Sequence, residues 1–205
     1  MTKIQELEQT IQDMVDGNRG ILAADESSPT IKKRFDSINV ESSEENRRKY
    51  RSWLLSTPEL GDYISAVILF EETLDQKSDE GVLLPEMAWQ QKIVPGIKVD
   101  KGTEALPGAG GDLITKGLDG LAERLVIYKE KGARFAKWRE VYPITETNPT
   151  PLGISANAEM LARYAAVCQD QGIVPIVEPE ILMDGHHDID RCSEVSEAVL
   201  HEVFN

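Results

Sequence analysis

The stretch "ARFAKWR" (133–139) has the composition of a buried strand, yet it carries cations along one side. It directly follows Gly132, a residue type that commonly ends helices. Because successive side chains of a strand point to opposite faces, Lys137 and Arg139 are predicted to point the same way. These two cations are therefore candidates for a local cationic pocket.

Four further apolar runs have the length and composition of buried strands. They are "GILAAD" (20–25), "ISAVILFE" (64–71), "VPGIKVD" (94–100) and "GIVPIVEPE" (172–180). Amphipathic segments with apolar residues at i, i+3, i+4 and i+7 separate these runs, which indicates helices. Strands that alternate with helices, without a hairpin signal, predict an α/β fold with a parallel sheet.

Charged side chains recur near the C-terminal end of each predicted strand. They are Asp25, Glu71 and Glu72, Lys98 and Asp100, Lys137 and Arg139, and Glu178 and Glu180. This recurrence favours a (β/α) barrel over an open doubly wound sheet, because barrel enzymes place their chemistry at that end. "GAGG" (108–111) follows no predicted strand and indicates a loop rather than a dinucleotide site. A structural ion-pair network at the barrel mouth is the alternative to catalysis.

The composition limits the classes of partner. The 205 residues suit one domain (1–205), and the charge of −14 disfavours nucleic acid and anionic membranes as partners. The first residues lack a signal-peptide core, and the spacing of the two cysteines suits neither a disulfide framework nor a zinc site. These features predict a soluble, cytoplasmic protein.

One helix carries a cluster of cations that needs its own interpretation. In "SSEENRRKYRSWLL" (42–55), Ser42 and Glu45 have the spacing of a capping box. The "RRKYR" cluster resembles a nucleic-acid patch, but neighbouring acids and the negative net charge favour a solvated helix face.

Several long motifs resemble the class I, Schiff-base type of fructose-bisphosphate aldolase. The matching stretches are "GILAADES" (20–27), "EENRRKYR" (44–51), "VILFEETLDQK" (67–77), "GIKVDKG" (96–102), "GLDGLAER" (117–124), "FAKWR" (135–139), "LARYA" (161–165) and "GIVPIVEPEIL" (172–182). The resemblance implies a (β/α)8 TIM barrel. It also implies reversible cleavage of fructose 1,6-bisphosphate to dihydroxyacetone phosphate and glyceraldehyde 3-phosphate, a reaction of glycolysis and gluconeogenesis.

The resemblance implies four catalytic residues. Asp25 would deprotonate a substrate hydroxyl or assist carbon–carbon cleavage, and Lys137 would balance charge and transfer protons at the reacting carbon. Glu178 would be the general acid and base for the imine, and Glu180 would orient the nucleophilic lysine.

Four substrate-binding residues follow from the same resemblance. Arg34 and Arg139 would bind phosphate, which suits the bidentate geometry of a guanidinium, and Lys98 would contact substrate oxygens. Thr30 stands where animal members carry a serine, so it keeps the hydroxyl and adds a methyl group.

This aldolase class is metal-independent and uses no cofactor, because an iminium ion serves as the electron sink. His186 and His187 are adjacent in the chain and therefore poorly placed to bind one metal ion together. The implied partner is a small sugar-phosphate substrate, and the full-length protein is expected to form a homo-oligomer.

The sequence supplies about five of the eight strands of the barrel, and the family's imine-forming lysine lies on the sixth. The 205-residue chain is therefore expected to be a fragment that lacks this lysine and is inactive alone, with two open sheet edges. The alternative is a non-catalytic short relative that binds sugar phosphates or a partner protein. Neither Lys98 nor Lys137 occupies the Schiff-base position.

Overall fold

A computed structural model describes residues 2–205 and confirms the predicted α/β fold. The main sheet has five strands in the spatial order β1-β2-β3-β6-β7. The bounds of these strands are β1 Gly20–Ala24, β2 Ile64–Leu69, β3 Val94–Lys98, β6 Phe135–Tyr142 and β7 Val174–Ile181. β1 pairs parallel to β2, and β2 pairs parallel to β3, as crossover connections require.

Helices connect the strands, and most were recognisable from their apolar spacing. Within residues 2–205 the helices are α1 Lys3–Val15, α2 Ser28–Asp36, α3 Glu44–Leu55, α4 Leu60–Tyr63, α5 Leu84–Gln90, α6 Leu121–Glu130, α7 Pro151–Asp170 and α8 Ile189–Phe204. A single 3-10 turn, Glu71–Leu74, follows β2. α6 and α7 end just before Gly132 and Gly172, which both have positive φ angles and so end the helices as predicted.

One further element, an antiparallel hairpin between β3 and α6, had no recognisable signal in the sequence. β4 (Thr103–Ala105) pairs with β5 (Leu113–Thr115), and the "GAGG" stretch lies in the loop that joins them. Gly108, Gly110 and Gly111 all have positive φ, a conformation that residues with a Cβ adopt rarely. The prediction of a fold without hairpins was wrong here, because strands of three residues are too short to show an alternating pattern.

The chain divides into two compact units. Unit 1 comprises Met1–Lys98, Ala122–Ala136 and Gln169–Val174, and unit 2 comprises Val99–Leu121, Lys137–Cys168 and Pro175–Asn205. The core of unit 1 contains the fully buried Ala66, Val67 and Leu69 of β2. That of unit 2 includes Tyr142 and Val199, which belong to one apolar cluster.

Gly96 of β3 shows how tightly unit 1 is packed. A Cβ atom at this position would lie 2.3 Å from Cζ of Phe135, whose side chain is fully buried. No real Cβ contact is that short, so the aromatic ring occupies the space that a larger residue would need. A glycine is therefore required at this point of the strand.

Two predictions about α3 were wrong in detail. The N-cap is Ser43, whose hydroxyl accepts a hydrogen bond from the Asn46 N–H at 3.2 Å, rather than Ser42. The cation cluster is also not uniformly solvated, because the Arg51 side chain is only 1% exposed. None of the helices within residues 2–205 has both the length and the apolar character needed to cross a bilayer.

Candidate active site

In unit 2, β6 and β7 bring two cations against two carboxylates. The ammonium Nζ of Lys137 lies 3.1 Å from Oε2 of Glu178, and Nη1 of Arg139 lies 2.8 Å from Oε2 of Glu180. The alternation of strand side chains explains this arrangement, because residues two apart on each strand share a face. The structure therefore confirms that Lys137 and Arg139 point to the same side.

The two ion pairs differ in their access to solvent. The Lys137 side chain is 9% exposed, whereas the side chains of Glu178, Arg139 and Glu180 are between 37% and 43% exposed. A buried ammonium group beside a more accessible carboxylate is suited to passing a proton between an enclosed reaction centre and its surroundings. The more exposed Arg139 is suited to exchanging its carboxylate partner for an anionic ligand.

The opposite face of β6 is apolar except for one acid, Glu140. This residue is fully buried, and its carboxylate accepts hydrogen bonds from Nε1 of Trp138 at 2.8 Å and from the Thr115 N–H at 3.1 Å. Burial raises the pKa of Glu140, although these hydrogen bonds oppose the change. The Thr115 hydroxyl donates to the carbonyl of Arg139 at 2.7 Å, so β5 supports the strand that carries both site cations.

This network corrects the predicted end of β6. The strand was predicted to end at Arg139 but continues to Tyr142, so the two cations lie within it. The sequence showed an acid directly after Arg139, and an acid normally indicates a solvated strand end. Its burial depends on Thr115, a partner 25 residues away in the chain, which no local pattern indicates.

In unit 1, the predicted site residues lie at the ends of β1 and β3 and on α2. Asp25 is buried directly after β1, and Lys98 is the last residue of β3. Thr30 lies on the first turn of α2, with its Oγ1 3.0 Å from Oγ of Ser27. Arg34 lies one turn later on the same helix and has a largely exposed side chain.

Sequence reasoning missed the residue that holds Arg34. Nη1 of Arg34 donates to Oε1 of Glu26 at 2.5 Å, and the Glu26 side chain is only 6% exposed. The hydroxyl of Tyr50 donates to the same oxygen at 3.2 Å, and Nη2 of Arg51 donates to the Glu26 carbonyl at 3.0 Å. An acid next to Asp25 in a buried stretch was the available signal, but its partners on α2 and α3 are set by tertiary packing.

Arg51 belongs to a charge network that fixes α3 against the turn after β2. Its guanidinium forms a very short contact with Glu72, and Arg47 binds the same carboxylate through two bonds of 2.7 and 2.9 Å. Burial alone would raise the pKa of Glu72, but the hydrogen bonds from both arginines outweigh it and hold that pKa below its usual range. The guanidinium also stacks on Phe70, 5.5 Å from the ring centre.

The two adjacent histidines line a cavity of about 770 Å3 in unit 2. It lies among the residues that follow β6 and β7: Pro143, Ile144, Thr145, Glu146, Asp184, Gly185, His186, His187 and Arg191. Within residues 2–205, no three side chains of the His, Cys, Asp or Glu types are grouped so that they could hold a metal ion.

Comparison with known proteins identifies the family. A sequence model described as "Fructose-bisphosphate aldolase class-I" matches residues 6–205. The chain is 55% identical over 201 residues to a probable fructose-bisphosphate aldolase class 1 of Xanthomonas campestris, covering 98% of this chain and 60% of that protein. It is 59% identical over 180 residues to the cytoplasmic isozyme of fructose-bisphosphate aldolase from Spinacia oleracea, covering 88% of this chain and 50% of that protein.

A solved structure extends the likeness to three dimensions. It is a ternary complex of fructose-bisphosphate aldolase from Plasmodium falciparum with TRAP and a small-molecule inhibitor. The match has a TM-score of 0.96 and 51% identity, and covers 98% of this chain and 59% of that one. This likeness confirms the fold class as an incomplete (β/α)8 barrel, and the chain spans about 60% of the length of several of its relatives. The chain belongs to the class I fructose-bisphosphate aldolase family.

Proposed function

We propose that this chain is the part of a class I aldolase that supplies most of its substrate-binding and proton-transfer groups. The reaction is the reversible cleavage of fructose 1,6-bisphosphate to dihydroxyacetone phosphate and glyceraldehyde 3-phosphate. The observation that carries the proposal is the pairing of Lys137 with Glu178 and of Arg139 with Glu180 on β6 and β7. These four residues stand in the family's "AKWR" and "VEPE" motifs.

The chemistry assigns a different role to each group. Cleavage breaks the bond between C3 and C4 of the substrate, and the electron pair of that bond moves toward an iminium ion at C2. The C4 hydroxyl loses its proton in this step, and Asp25 is the proposed acceptor. Glu178 exchanges protons during formation and hydrolysis of the imine, and Lys137 supplies positive charge and proton transfer at the reacting carbon. Glu180 orients the imine-forming lysine.

The phosphate groups require cations that are available to an incoming anion. Arg139 is neutralised by Glu180 when no anion is bound, and a phosphate group can replace that carboxylate through two parallel N–H···O bonds. We assign a second phosphate contact to Arg34, substrate oxygens to Lys98 and a supporting hydroxyl contact to Thr30. No metal or other cofactor is part of this proposal.

The cellular context is proposed from the relatives. One relative from Spinacia oleracea is named as a cytoplasmic isozyme and one from Arabidopsis thaliana as cytosolic, which supports a cytoplasmic location. We also propose a homo-oligomer for the complete enzyme. A non-catalytic sugar-phosphate-binding role is disfavoured, because binding alone requires neither the Lys137–Glu178 ion pair nor a buried carboxylate at Asp25.

The test joins this chain to a complete barrel. Residues 1–205 would replace the matching segment of the Xanthomonas campestris relative, and cleavage would be followed by coupling dihydroxyacetone phosphate formation to NADH oxidation. We expect aldolase activity in the chimaera, and a fall in kcat of at least about 100-fold in Lys137→Met and Glu178→Gln. Lys131→Met is the matched control, since Lys131 pairs with the exposed Asp75.

A folded chimaera without activity, or a Lys137→Met variant with normal kcat, would contradict the proposal. The 205-residue chain alone is expected to show no turnover, because neither Lys98 nor Lys137 stands at the family's Schiff-base position. Borohydride trapping with dihydroxyacetone phosphate, read by mass spectrometry, checks this directly. A covalent adduct on either lysine would refute it.

A further inference from the structure

Glu26 is a buried acid whose side chain accepts hydrogen bonds from Arg34 and Tyr50. Oε1 of Glu26 accepts from Nη1 of Arg34 at 2.5 Å and from the Tyr50 hydroxyl at 3.2 Å. Its side chain is 6% exposed, whereas the Arg34 side chain is 61% exposed. The ion pair therefore joins a fixed, buried end to an open, solvent-facing end.

The contact with Glu26 engages one corner of the guanidinium. Nη1 of Arg34 is held by the carboxylate, while the side chain as a whole faces solvent. A guanidinium has five N–H donors in a planar fork, so donors remain for an anion that approaches from the exposed side. Arg34 is therefore held through Nη1, on the buried side, while its other N–H donors are available on the solvent side.

The anchor is itself immobilised from α3. Nη2 of Arg51 donates to the Glu26 carbonyl at 3.0 Å, and Arg51 in turn contacts Glu72 and lies over Phe70. Phe35 of α2 also packs edge-on against Tyr50, with the ring centres 5.8 Å apart. The backbone of Glu26 is therefore held by the buried Arg51, and its side chain is held by Tyr50, whose ring packs against Phe35.

We propose that Glu26 is a positioning residue that holds the Arg34 guanidinium ready for a phosphate group of the substrate. This inference rests on the phosphate-binding role of Arg34 under the proposed function. An exposed arginine loses rotamer freedom when it binds an anion, and an arginine already anchored at one corner loses less. The same carboxylate also opposes an anion by its charge, so anchoring and charge have opposite effects that variants can separate.

The experiment titrates the 205-residue chain with inorganic phosphate and follows the Nε–Hε signals of its arginines by NMR. Glu26→Ala removes both anchor and charge, and we expect phosphate binding at Arg34 to weaken by about two- to tenfold. Glu26→Gln removes the charge but keeps an oxygen that accepts from Arg34 and Tyr50, so binding is expected to be at least as tight as in the wild type.

Glu45→Ala is the charge-matched control. Glu45 is an exposed acid on α3 that pairs with Arg48 and Lys49, and its loss changes the net charge by the same amount without touching Arg34. We expect no weakening in this variant. If Glu26→Ala does not fold, Glu26→Asp replaces it, because the shorter side chain keeps the charge but shortens the reach to Arg34. Binding should then weaken as well.

The outcomes separate the inference from the proposed function. If Arg34→Ala leaves the phosphate affinity of the chain unchanged, the phosphate role of Arg34 fails, and the inference fails with it. If Arg34→Ala weakens binding but the anchor-removing variant binds as tightly as the wild type, only the role of Glu26 is refuted. Weakening of Glu26→Gln to the level of Glu26→Ala would also overturn the proposal, since the amide keeps the anchoring oxygen.

Discussion

Arg51 provides the strongest single test of how the charge network supports the site. Its side chain is 1% exposed, contacts Glu72 and donates to the carbonyl of Glu26, the residue after the proposed base Asp25. Arg51→Met keeps an unbranched side chain but removes all of the guanidinium donors. The variant therefore breaks a buried ion pair and a buried hydrogen bond while leaving much of the apolar packing intact.

The expected loss of stability follows from the remaining contacts. Removing one partner of a buried ion pair costs about 3–5 kcal/mol when the other charge is left without compensation. Arg47 still binds Glu72 in the variant, so we place the loss in the free energy of unfolding at about 3 kcal/mol. For a chain of this size that corresponds to a fall in Tm of roughly 6–12 °C.

The assay is thermal unfolding followed by circular dichroism near neutral pH, with Arg48→Met as the control on the same helix. Arg48 pairs with the exposed Glu45 and Asp79, so Arg48→Met should lower Tm by clearly less than Arg51→Met does. An equal fall in Tm for the two variants, or no fall for Arg51→Met, would show that burial does not set the strength of this network.

The same variant has a defined pH dependence. The folded pKa of Glu72 lies below its ordinary value of 4.5, so its ion pairs stabilise the fold above that pH and are lost as pH falls through the folded pKa. Arg51→Met lacks part of this stabilisation. The difference in unfolding free energy between wild type and variant should therefore narrow as the pH falls below about 4.5.

Three further predictions concern buried positions that support the strands. Burial raises the folded pKa of Glu140 above 4.5, so the stabilisation from its protonated form is fully present below pH 4.5 and is lost as the pH rises through the folded pKa. In urea unfolding, the wild type should therefore lose stability relative to Glu140→Gln as the pH rises from 4.5 through the folded pKa, and an unchanged difference would contradict this. Gly96→Ala should destabilise by about 1–3 kcal/mol, because its methyl group would meet the Phe135 ring, and a thermal melt like that of the wild type would contradict this. Asp112→Ala should cost about 2–4 kcal/mol in chemical denaturation, because it leaves the N–H and hydroxyl of Thr150 at the start of α7 without their acceptor; a change within about 0.5 kcal/mol would refute it.

The sequence was informative wherever the signal is local. Alternation along "FAKWR" placed Lys137 and Arg139 on one face of their strand. The structure pairs them with Glu178 and Glu180, which are two residues apart on β7 and so also share a face. Glycines with positive φ ended α6 and α7 where the apolar spacing stopped. Such features depend on backbone geometry within a few residues, so they are present in the sequence itself.

Burial of charge could not be predicted in this way. Arg51 ends a run of cations and Glu140 directly follows Arg139, so a local interpretation places both charges in solvent. Glu72 lies 21 residues from Arg51, and Thr115 lies 25 residues from Glu140. Only the packing of distant segments supplies the donors and acceptors that make burial of these groups tolerable.

The sequence by itself determined the order of the five main-sheet strands and of most helices, the family and the set of charged residues at the strand ends. These features follow from periodicity and from long motifs, which can be recognised without knowing how the chain packs. The tertiary structure alone decided which charges pair, that β6 extends to Tyr142, and that Glu26 holds Arg34. Pairing depends on distances between side chains far apart in the chain, and the folded backbone sets those distances.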